Sequence, residues 1–125
     1  MDTIGDRFRT EIPVVADLAQ RLEMATTRIE LDQVDVARLL DMNPRTVARW
    51  LHRETQPRRH ARERVLELIA VLEQLTGVLR AAPAHDWLFT PNPRLDYYKP
   101  AELLRAGEYR RVLAAIDALA EGIFM

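Results

Sequence analysis

The sequence predicts an all-α protein: an N-terminal helix-turn-helix unit, a long connecting helix and a small C-terminal helical unit. Three observations carry this. Apolar residues recur at spacings of three and four, the period of one helical face. Asp, Asn and Pro stand where helices are expected to start. Pro91 and Pro93 fix φ and force a bend between two helical patterns. The divisions read from these signals are residues 1–60, with the helix-turn-helix at 33–52, then a connecting helix at 61–82 and a C-terminal unit at 83–125.

Residues 1–9 are polar. Thr10 is the expected cap of a first helix, with Pro13 in its first turn. Val15, Leu18, Leu22 and Ala25 mark its inward face, and it is expected to end near Thr26 and Thr27. Nothing in it suggests chemistry.

Asp32 is the next expected cap, with Asp35 in the first turn, both suited to the positive end of a helix. Residues 33–52, QVDVARLLDMNPRTVARWLH, have the layout of a helix-turn-helix. Val36, Ala37 and Leu40 face inward on the first helix, and Ala37 is small where two helices must cross. Met42 plugs the turn. Asn43 caps the second helix, Pro44 takes its first position, and Val47, Trp50 and Leu51 pack it back. Asp41 occupies a turn position where many such motifs carry glycine, and aspartate tolerates positive φ.

The outward face of that second helix carries Arg45, Thr46, Arg49 and His52, with Arg53 beyond. A recognition helix sets its first residues against base edges in the major groove. Arg45 and Arg49 are four apart, so they face one way and can reach guanine edges or phosphates; Asn43 and Thr46 suit contacts at the helix start. Arg58, Arg59, Arg62 and Arg64 would add backbone contacts without sequence information. Of the 18 basic and 19 acidic residues, eight arginines and four acids lie in residues 33–64, which makes this the basic segment of an otherwise acidic chain. The bland reading is a trihelical core with solvated arginines.

The connecting helix carries Val65, Leu68, Leu72, Leu75 and Leu79 as a heptad-like seam. Leu66, Ile69, Val71 and Val78 form a second apolar flank. One face can pack on the chain itself and the other on a second copy, so a homodimer is expected, which would also suit a two-fold operator. Pro83 is expected to break this helix.

Trp87-Leu88-Phe89 opens the C-terminal stretch, and Thr90-Pro91-Asn92-Pro93 makes a rigid corner. Pro100 suits the first position of a short helix, 101–105, stopped near Gly107. A longer helix follows at 108–121, with Val112, Ile116, Leu119 and Ile123 on one face. Ile123, Phe124 and Met125 leave an apolar tail, which either folds back on the core or inserts into a partner; residue statistics favour folding back.

A chain of 125 residues can bury a core without staples, and its lack of cysteine excludes disulfides and thiolate ligands. The start of the chain has no signal-peptide apolar region, and no run approaches a membrane span, so a cytoplasmic protein is expected. His52, His60 and His85 are scattered without metal-ligand spacing, and no phosphate loop or nucleophile elbow occurs. No enzyme, no metal and no cofactor are therefore expected.

The order Trp-Leu, Pro-Asn-Pro, Pro-x-x-Leu-Leu, Gly, then an Ala/Leu helix ending in Gly, resembles the C-terminal toxin-binding domain of the Xre/MbcA/ParS antitoxins. One segment departs: family members often carry small residues or glycine where this chain has Asp96-Tyr97-Tyr98-Lys99. The resemblance implies an antitoxin that neutralises a RES-domain toxin, an NAD⁺-degrading enzyme, by covering its active-site cleft, and that binds its own operon's promoter. It implies toxin contacts at Trp87, Asn92, Pro93, Arg94, Arg110, Arg111, Gly122, Ile123, Phe124 and Met125. Residue by residue, Trp87 and the prolines also fit a packing anchor and a corner. The alternative is a stand-alone regulator whose C-terminal half only dimerises or senses a ligand.

Overall fold

A computed structural model describes residues 17–124, and helices account for every regular element among them. The first, α1 (Leu18–Thr27), starts at Asp17, whose extended backbone and carboxylate cap the helix by accepting from the Gln20 amide at 3.1 Å. The expected helix therefore does not run unbroken into this segment, because Asp17 supplies its own start. Thr10, Pro13 and Val15 lie outside the described residues. Leu18, Leu22 and Ala25 are buried as the spacing required.

The helix-turn-helix forms at the expected residues. Helix α2 (Gln33–Leu40) opens on a reciprocal capping box: Asp32 accepts from the Asp35 amide at 2.8 Å, and Asp35 accepts from the Asp32 amide at 3.2 Å. Asp41 ends it at φ 55°, the left-handed conformation that glycine often supplies. Helix α3 (Pro44–Leu51) starts on Asn43, whose carbonyl accepts from the Arg45 amide at 2.8 Å, with Pro44 at the first position. Val47 and Trp50 are buried, whereas Met42 is only half-buried and Leu51 likewise.

Helix α4 (Arg59–Thr76) is shorter at its end than the expected 61–82 and closes at Gly77. Pro83 does not break it. Pro83 lies in the first turn of a separate helix, α5 (Ala81–Leu88), where a missing N–H removes no helical bond. Val78 and Leu79 fall in the turn between them and are half-buried. Both apolar flanks of α4 are consumed within one chain. Val65, Leu68, Leu72 and Leu75 are enclosed, and so are Ile69 and Val71. Only Leu66 of that flank stays exposed, so burial of α4 does not require a second copy.

A 3-10 turn (Pro93–Leu95) makes the corner, and α6 (Pro100–Arg105) and α7 (Tyr109–Phe124) complete the fold. Pro100 occupies the first position of α6, and Glu102 accepts from the Lys99 amide at 2.9 Å. Gly107, at φ 86°, turns the chain into α7. Arg64 of α4 lies against this turn and donates to the last carbonyls of α6, Leu104 at 2.8 Å and Arg105 at 3.2 Å. Arg105 reaches Asp41 in the helix-turn-helix at 3.0 Å, and α6 packs on α2. One buried cluster runs from Leu18 through Leu72 and Leu104 to Ile116, so both halves share it.

Candidate nucleic-acid and partner-binding surfaces

The burial of Val47 and Trp50 fixes which side of α3 faces outward. Arg45, Thr46 and Arg49 are exposed on it, with His52 just past its end. Among the described residues neither Arg45 nor Arg49 enters an ion pair. The other expected DNA-facing residues divide. Asn43 spends its carbonyl on the cap. Arg53, at φ 61°, turns back and donates to Asp17 at 3.0 Å, which with the Gln20 amide holds the Asp17 carboxyl below its usual range. Arg59 pairs with Glu63 at 3.7 Å on the surface, and Arg58 is exposed ahead of α4.

The C-terminal candidates also divide. Trp87 is half-buried against the core, as a packing anchor would be. Asn92 builds the corner: its side chain accepts from the Arg94 amide at 2.9 Å, and its backbone carbonyl accepts from Leu95 and Tyr97. Pro93 and Arg94 are exposed beside it. Arg111 ties the corner to α7, reaching Asp96 at 3.3 Å and Glu108 at 3.5 Å. Arg110 is exposed, its guanidinium 5.9 Å over the Tyr109 ring, and the Tyr109 hydroxyl raises its pKa further.

The end of α7 behaves differently from the expectation. The helix does not stop at Glu121; it continues through Gly122 and Ile123 to Phe124. A Cβ added at Gly122 would meet nothing within 4 Å, and Ile123 is 47% exposed. Val112 and Ile116 are enclosed, Leu119 is half-buried, and the stripe then runs into solvent. Through Ile123 the tail therefore does not fold back: continued helix carries it past the core. Met125 lies outside the described residues. A helix rises about 1.5 Å per residue, so the tail stands roughly 18 Å along the axis from Arg111. The candidates form a strip, not a single cluster.

Sequence reasoning missed Tyr97 and Tyr98, which are 71% and 51% exposed on the corner. A groove of about 360 Å³ also opens between α1, the end of α3 and the start of α4, floored by Leu22, Trp50 and Val65. Among the described residues no group of histidines or acids could hold a metal ion, and no helix is long and apolar enough to cross a membrane.

Residues 65–122 match the model of the antitoxin Xre/MbcA/ParS C-terminal toxin-binding domain. The mycobacterial cidal antitoxin MbcA of Mycobacterium tuberculosis is 44% identical over 108 residues, which cover 86% of this chain and 96% of that protein. The chain belongs to the Xre/MbcA/ParS antitoxin family. A more distant relative, the probable mycobacterial cidal antitoxin Rv3188 of the same organism, is 28% identical over 93 residues, 74% of this chain and 79% of that one. The crystal structure of the M. tuberculosis MbcT-MbcA toxin-antitoxin complex contains a chain that superposes with a TM-score of 0.76 at 44% identity, over 86% of this chain and 97% of that one. The matched toxin-binding segment takes in α4 from Val65, α5, the corner, α6 and most of α7.

Proposed function

We propose that this chain is the antitoxin of a toxin–antitoxin pair, and that it neutralises a RES-domain, NAD⁺-degrading toxin by covering the active-site cleft. The observation that carries this reading is the end of α7, a helix that runs past the core with Ile123 exposed. A pre-ordered helix binds at a lower entropy cost than a frayed tail, and an apolar tip gains by filling a pocket. Family membership and the MbcT-MbcA complex support a toxin as the partner. Blocking a cleft sterically asks no chemistry of the blocker, so a binding protein rather than an enzyme is the reading.

Arg45 and Arg49, which enter no ion pair among the described residues, support a second surface that grips DNA, which would let the antitoxin repress its own operon. Reading a two-fold operator would then require two copies, paired through a surface other than the enclosed flanks of α4. The test is growth rescue in cells expressing the toxin encoded beside this gene. The full chain is expected to restore growth, and the chain lacking residues 123–125 to restore it weakly. Full rescue by the truncated chain would remove the tail from the toxin contact.

A further inference from the structure

We infer that Tyr97, on the corner between the 3-10 turn and α6, is a partner-facing anchor that fills a pocket on the toxin. The inference rests on the antitoxin reading and names a contact within it. Asp96 and Tyr97 stand in succession at φ 55° and 67°. Aspartate visits this region readily, but a bulky aromatic does so only under strain, and glycine would sit there at no steric cost. The corner over-determines the conformation. The Tyr97 amide donates to the Asn92 carbonyl at 2.8 Å, the Tyr98 amide to Leu95 at 2.9 Å, and the Asn92 amide to Tyr98 at 3.1 Å. Arg111 pins Asp96 from α7.

Held this way, Tyr97 is 71% exposed and contributes little to the core. The strain therefore has no return among the described residues. Strained residues that pack nothing mark binding positions, and tyrosine on a rigid corner gives large contact area at small entropy cost. The occupant is assigned by position. Tyr97 lies inside the segment matched to a toxin-binding domain, and the Asp96–Arg111 pair joins its corner to α7. The complementary site is an apolar pocket with a hydrogen-bond acceptor at its base for the phenol.

The experiment compares the full chain with Tyr97→Gly and Tyr97→Ala by calorimetric titration against the toxin from the neighbouring gene, with thermal melts alongside. Tyr97→Gly is expected to melt about 3 °C higher or more, since the strain is gone, yet to bind about tenfold more weakly. Tyr97→Ala loses the ring and keeps the positive φ, so it weakens binding equally without the gain in melting temperature. Met24→Ala, an exposed apolar change on α1, leaves affinity unchanged. Tyr97→Gly binding within twofold of the parent overturns the inference and leaves the antitoxin reading standing. A melting temperature unchanged or lowered in Tyr97→Gly overturns the strain argument and the inference with it. Failure of the parent chain to bind the toxin overturns both.

Discussion

Arg45 and Arg49 show how a single turn of helix sorts residues by role. Both leave the outward side of α3 while Val47 and Trp50 anchor the inward side, and neither is neutralised by a neighbouring acid among the described residues. Arg53, nearby in sequence, is instead spent on Asp17. Changing Arg45→Ala together with Arg49→Ala is expected to abolish retention of the operon's promoter fragment in a gel-shift assay. The salt dependence of any residual binding falls by about two phosphate contacts. Unchanged binding would remove both from the DNA surface. Replacing Arg53 should matter less, because its guanidinium already has a partner. The caps at Asp32 and Asn43 and the left-handed Asp41 were legible in sequence because they depend on residues within a few positions. The Arg53–Asp17 and Arg111–Asp96 pairs were not, since each joins segments that only the tertiary fold brings together.

At the scale of elements, α4 and α7 carry the corrections. Pro83 reads in sequence as the terminator of a long helix, yet Gly77 ends α4 and Pro83 sits in the first turn of α5. The signal is ambiguous because proline both breaks helices and suits their first turn. The two apolar flanks of α4 read as one face for the chain itself and one for a second copy; α1, α2, α5 and α7 together cover both. Glycine at 122 reads as a stop, but with no steric demand on its backbone the helix continues through it. Because Ile123 is exposed there, deleting residues 123–125 should leave the melting temperature of the isolated chain within about 1 °C, as exposed positions change stability little. A large drop in a thermal melt would mean that the tail supports the core.

For the whole molecule, one buried cluster spans the helix-turn-helix and the segment matched to the toxin-binding domain model. A shared core predicts a single cooperative unfolding transition. Trp50 reports on the first half and Trp87 on the second, so the single-tryptophan variants Trp50→Phe and Trp87→Phe should show coincident fluorescence midpoints in urea. Separated midpoints would mean two independent units. The all-helical class and every element but α5 and the 3-10 turn were readable from spacing; the fusion of the halves was not, because α6 on α2 and Arg64 on α6 are long-range contacts. The proposed activity draws on this shared core, which joins the corner and α7 to the rest of the chain and so presents the strip between them to a cleft. The most direct measurement is NAD⁺ degradation by the purified neighbouring toxin, titrated with this chain. The account predicts loss of activity with a stoichiometric end point and no NAD⁺ turnover by the chain itself; undiminished toxin activity at saturating chain would contradict it.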